Sequence, residues 1–567
     1  MRRRIFTVTL ALTLLIVGAT TGCAQTYPDR FIFIYSPHWG LRQDGELELI
    51  QQTLITAAAH GYNGLVLGGA LDRLSMQPPV FFTRLSRLAQ TCEDLDMKLI
   101  PMVFSAGYGG SVLDQNPHLA EGFPVKDAEF RVGEEQAWFR PDPSIRVVNG
   151  DFTRAEGDRL AGMSLQHKPG VVTHVDRRVT HDGATSVRLD NFQANGGHAR
   201  LAQEIAVVPH RCYEVEAWVR TADLEPPGRF RFEVLGLPDG RDIAPTTLKA
   251  PPPGEWTRMA LRFNSLKYSR IRLTAGVWAG RRGTAWFSEW NLREVGPVNV
   301  LRRPGTPVTV RSADGSTTYE EGADYAPLVD PQFSHRDPDH PAPPLTLLPG
   351  GRIREGQRLK VSWYHSVAVA EGQRSVCMAE PELYEIWKRE AKLLADLLHP
   401  AAYLLSMDEI REGGHCAACG GRDMSQLLGE CLTKQKEILH EVSPGAQIYT
   451  WADMLSPEHN ARANYYLVNG DFSRAWEYAP KDLIMVVWAM PKRITGVRFF
   501  SQRGFSTLIG AYYDKDNLSA VEDWVRVARG VRGLRGIMYT TWQQKFDLVA
   551  PFGDLVWGGA AGARSKP

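Results

Sequence analysis

From residue 30 onward the chain alternates short apolar runs with segments of helical period: "RFIFIY", "ELELIQQTLITAAAHG", "GLVLGG", "FFTRLSRLAQTCEDLD", "KLIPMVF". Short continuous apolar runs separated by amphipathic helices mark strands buried on both faces, which is the habit of a parallel sheet with covering helices. The rhythm stops after Ser105 and resumes near "LKVSWYHS". It then continues through "YLLSMDE", "QIYTWAD", "IMVVWAM", "TLIGAYY" and "GIMYTTW". Three strand candidates before the gap and five after it make eight. The expected architecture is therefore α/β, a (β/α)8 TIM barrel.

The interruption has a different texture. Runs such as "YEVEAWVRT", "RFRFEVLG" and "IRLTAGVWAG" alternate with period two between Gly and Pro turns, which predicts an inserted all-β sandwich domain. Its opening "VVNGDF", its middle "RCYEVEAWVR" and its close "GEWTRMALRF" then "TAWFSEWNLREV" resemble carbohydrate-binding modules of the family 4/9 type. Ser288 and Glu289 stand where that family often carries paired Asp. The expected division is an export signal over 1–23, a first part of the barrel over 30–144 and the inserted sandwich over 145–297. A β-rich extension and linker follows over 298–354, then a second part of the barrel over 355–557 and a tail over 558–567. At 567 residues the chain is too long for one ordinary core, in keeping with this division.

The first residues, "MRRRIFTVTLALTLLIVGATTGCAQ", place three Arg before an apolar run and small residues before Cys23. This predicts an export signal rather than a fold element. Its end resembles a bacterial lipoprotein cleavage box in which Cys23 becomes the lipidated mature N-terminus, and Arg3-Arg4 faintly resembles a twin-Arg signal. The expectation is an exported chain, anchored at the cell envelope through Cys23 or else periplasmic or secreted. No later run approaches the length of a membrane span. The membrane therefore enters only through that lipid. A net charge of +1, with no basic block, argues against a nucleic-acid partner.

In a parallel barrel the loops at the C-terminal strand ends carry the chemistry. Those ends hold His38 and Trp39; Ser105; Asp408 and Glu409; Trp451 and Asp453; Trp488; Tyr512, Tyr513 and Asp514; and Trp542. Carboxylates that move protons, ringed by aromatic faces on which a pyranose can stack, suit a glycan or oligosaccharide substrate. No phosphate-binding glycine loop is present, and no organic cofactor is implied.

The order of these motifs resembles the catalytic barrel of glycoside hydrolase family 20, the β-N-acetylhexosaminidases. The likeness rests on Asp-Glu ending the fourth strand, "TWAD" the fifth, Trp488 on the sixth, "YYD" on the seventh and Trp542 on the eighth. The resemblance implies a retaining exo-enzyme that uses the substrate's own acetamido oxygen as nucleophile, an exception to the two-carboxylate rule. By the same resemblance Glu409 is the general acid and Asp408 orients the acetamido group. Tyr512 hydrogen-bonds the acetamido oxygen and Asp514 a sugar hydroxyl, while Trp451, Trp488 and Trp542 wall the pocket. His38 and Asp453 are further substrate-binding candidates.

The chain departs from the family pattern at Leu405-Ser406-Met407, where His and a Gly pair are usual. It also offers His38 on the first strand in place of Arg, and Gln543-Gln544 after the last Trp. Two other readings stay open. One is a glycosidase for a different sugar, with Glu409 as acid and Asp453 as nucleophile; the other is a non-catalytic carbohydrate-binding surface lipoprotein. Tyr513 is expected to face away from Tyr512 and pack, and Glu409 to pair with Arg411 if the acid pair is only a solvated strand end. Successive side chains of a strand face opposite ways, so for both acids to enter one pocket the strand must end or bulge between them.

"HCAACGG" offers His415, Cys416 and Cys419, with Cys377 or Cys431 as completing ligands. One CxxC without a second is an incomplete zinc set, and in an exported chain a Cys416 disulfide competes. No metal ligand is assigned from the sequence.

Overall fold

The computed structural model describes residues 27–36, 41, 45–69, 71–334, 339–488 and 493–558. The expected export signal with Cys23, the candidate His38, and the tail beyond 558 lie outside the described residues.

Eight parallel strands close into a barrel in chain order: Phe31–Tyr35, Gly64–Gly68, Lys98–Val103, Ala402–Leu405, Gln447–Trp451, Ile484–Val487, Ser506–Gly510 and Leu534–Thr541. Each of the eight apolar runs supplies one strand. The last strand pairs with the first, Ile32 lying opposite Tyr539, so no edge is left open. Side chains alternate as strand geometry requires. Phe31 and Phe33 point into the barrel with Ile100, Leu404, Tyr449 and Trp451, while Ile32 and Ile34 pack outward against the helices.

The covering helices include Glu46–Ala59, Pro79–Asp94, Pro381–Leu398, Met424–Val442, Ser519–Ala528 and Val549–Trp557. Local chemistry fixes several starts. Pro381 occupies the first turn of its helix, where a missing N–H costs nothing. Asp423 caps its helix by accepting from the amides of Ser425 and Gln426.

The barrel is left after Val103 and re-entered at Ala402. Within this excursion two five-stranded antiparallel sheets form the sandwich. One is ordered 257–264, 212–225, 282–294, 186–189, 173–176; the other 241–242, 230–236, 270–277, 199–206, 165–166. Their inner faces share one apolar core that includes Phe152, Tyr213, Phe287 and Trp290.

Two expected boundaries are corrected. Residues 123–139 and 355–365 belong to neither part of the barrel. Strand Phe123–Val132 pairs antiparallel with Arg358–His365, and both lie in a separate six-stranded sheet with 136–139, 309–312, 318–319 and 345–346. "RLKVSWYH" alternates buried and partly exposed positions, the mark of a sheet covered on one face, whereas a barrel run such as Ala402–Leu405 is buried at every position.

From that sheet a return segment, residues 366–378, runs back across the barrel mouth. It is tied to the loop after the third strand by Gly109 N–H to Arg374 O at 3.0 Å, Val376 N–H to Ala106 O at 3.0 Å and Cys377 N–H to Leu119 O at 2.9 Å. The sandwich also touches the barrel loops, because Arg241 Nη2 donates to the carbonyls of Tyr466 and Val468 at 2.8 and 2.9 Å.

Candidate active site

The barrel interior ends, at its C-terminal mouth, in a layer of rings. Phe33 lies 5.6 Å from Trp451 and 4.8 Å from Trp542, and Tyr35 lies 5.2 Å from Trp542 between ring centroids. Trp488 and Tyr513 add a second wall at 5.9 Å. Above this floor is a cavity of about 410 Å³, lined also by Asp72, Ser105, Tyr108, Ser111, Asp408 and Glu409. Its size is that of a small-molecule site.

The fourth strand ends at Leu405, three residues before the acid pair. Released from strand geometry, the chain turns so that both acids line the cavity. Glu409 is in the left-handed region at φ +48°, a conformation that costs a non-glycine residue roughly 1–3 kcal/mol and persists only where its surroundings impose it. Here they do so from both sides. The Glu409 amide donates to Asp453 Oδ2 at 2.9 Å, and its carbonyl accepts from Gln373 Nε2 at 2.8 Å. The loop after the third strand packs so closely that a Cβ on Gly107 would lie 2.2 Å from the Asp408 carbonyl oxygen. Only glycine permits that approach.

The two carboxyls live in different surroundings. Asp408 is buried and accepts from Ser406 Oγ at 3.1 Å. Burial, reinforced by the negative charges of Asp453 and Glu409, pushes its carboxyl up to about 8. Glu409 is partly open, and its Oε2 accepts from the Tyr108 hydroxyl and pairs with Arg411 Nη2 at 2.6 Å. Arg411 is held in turn by Gln373 Oε1 and lies 5.0 Å from the centre of the Tyr466 ring. Two acids whose environments differ this much are suited to different roles.

Asp408, Glu409, Trp451, Trp488 and Trp542 are thus brought together. Three other candidates are corrected. Tyr512 faces outward, stacked on Tyr539 at 4.2 Å, with its hydroxyl donating to Lys515 O at 2.7 Å. Tyr513 lines the cavity instead. The seventh strand stops at Gly510, so period-two counting carried to residue 512 runs past the point where it applies.

Asp453 is buried behind the cavity wall. Its Oδ2 accepts from Glu409 N–H and Asn460 Nδ2, the latter at 2.8 Å, and its Oδ1 faces Trp488 Nε1 at 3.4 Å. With both oxygens so engaged it orients Glu409 and Trp488, and is badly placed for nucleophilic attack. Asp514 accepts from Thr541 Oγ1 at 2.5 Å and from the Trp542 amide at 2.8 Å, which positions Trp542. Neither acid is among the described residues lining the cavity.

Residues the sequence reading missed include Tyr35, Asp72, Tyr108, Ser111 and Gln373, and it noted Arg411 only as a surface-type partner. Tyr35 ends the first strand, so strand-end position was a usable signal for it. Asp72 accepts from Ser111 Oγ at 2.5 Å, and burial raises its carboxyl above the usual range. It offers a hydroxyl acceptor at the edge of the cavity.

No protein-family model matches the sequence, and no curated protein matches it. Solved structures do match. A β-N-acetylhexosaminidase is 8% identical, covering 94% of this chain and 72% of its own, with a TM-score of 0.38. The chitobiase of Flavobacterium johnsoniae is 8% identical, covering 94% of this chain and 48% of its own, with a TM-score of 0.39. A family 16 carbohydrate-binding module is 17% identical, covering 26% of this chain and 97% of its own, with a TM-score of 0.20.

Proposed function

We propose that the chain is a glycoside hydrolase, a retaining exo-β-N-acetylhexosaminidase that uses substrate-assisted catalysis. The observation that carries this reading is the placement of the acid pair: a buried Asp408 set beside the more open Glu409 over a floor of indoles.

In this reading the sugar ring stacks on the tryptophans and its 2-acetamido group points down toward Asp408 and Tyr513. Glu409 gives its proton to the glycosidic oxygen as the bond to the anomeric carbon breaks. The acetamido carbonyl oxygen attacks that carbon and forms an oxazolinium ring, and Tyr513 donates a hydrogen bond to the same oxygen. The single proton that the acid pair holds on Asp408 in the empty pocket passes to Glu409 as the substrate binds, so Asp408 is then the carboxylate that accepts from the acetamido N–H. Ionising Asp408 is costly in the empty pocket. It becomes favourable as positive charge builds on the acetamido group, so the interaction strengthens toward the transition state. Glu409, now a carboxylate, then takes a proton from the water that opens the oxazolinium ring, which restores both the acid and the β configuration. Tyr108 and Arg411 hold the Glu409 carboxylate in place, and Asp72 and Ser111 are available for ring hydroxyls. The substrate is a glycan end exposed outside the cytoplasmic membrane, in line with the export signal expected over residues 1–23.

The test is hydrolysis of aryl β-N-acetylglucosaminide and β-N-acetylgalactosaminide beside plain β-glucoside and β-galactoside, by wild type and Glu409→Gln. Turnover confined to acetamido sugars, and reduced by about 10²–10⁴ in the variant, is expected. Turnover of plain sugars would overturn the substrate-assisted route. Sugar binding without turnover, indifferent to Glu409→Gln, would make the barrel a lectin.

A further inference from the structure

Below the catalytic loop, four buried donor groups from three distant stretches of chain meet. Glu121 precedes the strand Phe123–Val132, Cys377 lies in the return segment, and Cys416 and Cys419 sit in the turn before the helix Met424–Val442. One ligand atom from each lies within 4.8 Å of all the others. Cys416 Sγ is 3.4 Å from Cys377 Sγ and 3.3 Å from Cys419 Sγ, and Cys419 Sγ is 3.2 Å from Glu121 Oε1. The other candidates are engaged elsewhere: His415 Nε2 is bonded to Leu467 O at 2.6 Å, and Cys431 is buried against Tyr384.

We propose that Glu121, Cys377, Cys416 and Cys419 form a closed structural zinc site that fastens the catalytic loop to the return segment. Three thiolates and one carboxylate are a four-donor, sulfur-rich set of the kind zinc takes in structural sites, and they leave no open position for a substrate. Tetrahedral zinc with Zn–S near 2.3 Å places its ligand atoms about 3.8 Å apart, close to the spacings found here. A disulfide between any two of the three sulfurs would leave the third thiol and a buried carboxylate without a partner of equal strength, which is costly.

The surroundings are those of a supported site. The amides of His415 and Cys416 donate to Glu121 Oε1 at 2.9 and 3.1 Å. Arg303 Nη1 lies 3.6 Å from Cys416 Sγ and offsets part of the negative charge. The same guanidinium is fixed by the carbonyls of His118 and Ala120 at 2.7 and 2.8 Å and by Glu380 at 2.5 Å. Such outer contacts orient ligands before the ion arrives.

The consequence reaches the acid pair through short paths. Cys377 lies four residues after Gln373, whose side chain holds both the Glu409 carbonyl and Gly107 O. Ser375, between them, donates its amide to Glu412 at 2.6 Å. The ion would thus secure both sides of the loop that presents Glu409. Zinc binding by these four residues is independent of the sugar and of the catalytic route.

The test uses the full chain, produced with zinc in the medium and purified without chelator or reductant. Elemental analysis should return about one zinc per chain, and cobalt exchange should give thiolate-to-cobalt charge-transfer bands with the visible bands of tetrahedral cobalt. Cys419→Ser and Glu121→Gln should each lower zinc content, and chelation of the wild type should lower Tm by roughly 10 °C. If the variants fail to fold, the wild-type zinc content and cobalt spectrum decide. Zinc below about a tenth per chain would overturn the proposal. So would a disulfide joining two of the three cysteines in unreduced peptide maps, or cobalt spectra without thiolate bands.

Discussion

The backbone N–H of Glu409 points at Oδ2 of Asp453, 2.9 Å away. A carboxylate on the fifth strand's loop therefore sets the direction of an acid on the fourth strand's loop, through the main chain rather than the side chain. Asp453→Ala removes that acceptor and also the partner of Asn460. It is expected to lower kcat at least tenfold with little change in KM, the signature of an interaction lost in the transition state rather than in binding. Asp453→Asn keeps one acceptor oxygen and should recover part of the loss. Steady-state kinetics on the aryl glycoside, with folding checked by circular dichroism, compares the two.

The adjacent tyrosines should separate cleanly. Tyr513→Phe removes a hydroxyl that faces the cavity and should reduce kcat/KM by roughly ten- to a hundredfold, about 1.4–2.8 kcal/mol of transition-state stabilisation. Tyr512→Phe removes a hydrogen bond to Lys515 O on the far side of the strand end. It should leave kcat unchanged and lower stability by about 1 kcal/mol. The reverse pattern would return the acetamido contact to Tyr512.

Asp408 makes the pocket unstable in a pH-dependent way. Its folded-state carboxyl sits near 8, while in the unfolded chain it titrates near 3.9. Between these values the folded state holds a proton that the unfolded state releases, so the stability contribution is full below about 4 and is lost as pH rises through about 8. Asp408→Asn abolishes that loss. The variant should be inactive yet melt higher than wild type, by a margin near zero at pH 4 that grows to several kcal/mol above pH 8. A margin independent of pH would refute the assignment.

His365 works in the opposite direction. It is buried at the foot of the six-stranded sheet, where Nε2 faces Asn264 Nδ2 at 3.1 Å, and burial lowers its imidazole to about 4. The unfolded chain takes up this proton near pH 6.5 and the folded chain does not until about 4. The stability it contributes is present above about 6.5 and lost as pH falls to about 4, by about 3 kcal/mol in all. His365→Gln should flatten the acid limb of the stability profile measured by urea unfolding.

The barrel was legible because its strands are buried on both faces and write themselves as unbroken apolar runs. "YLLSMDE" also put the acid pair at the right rim, since a strand that stops at Leu405 must deliver Asp408 and Glu409 to the mouth. What failed was local geometry past a strand end. The resemblance puts Tyr512 in the pocket and alternation then turns Tyr513 away, but the chain has already left strand geometry after Gly510. Arg358–His365 has the composition of a barrel strand, and only its half-exposed alternation shows that it lies in another sheet. Gln373, Glu121 and Arg303 carried no usable signal. Their roles depend on a fold that brings residue 121 against 416 and residue 373 against 409, and no local pattern records that convergence.

The six-stranded sheet gives the architecture a nested order. Phe123 lies opposite His365, so the segment between them begins and ends side by side in that sheet. The sandwich is strung inside that sheet in turn, between its strands Gln136–Phe139 and Thr309–Ser312. The sandwich is thus joined to the barrel chiefly through a hydrogen-bonded stem, Phe123–Val132 against Arg358–His365. One contact bypasses the stem: Arg241 of the sandwich binds the carbonyl of Tyr466, whose ring faces the Arg411 that pairs with Glu409, so replacing the sandwich would remove one support of the acid pair.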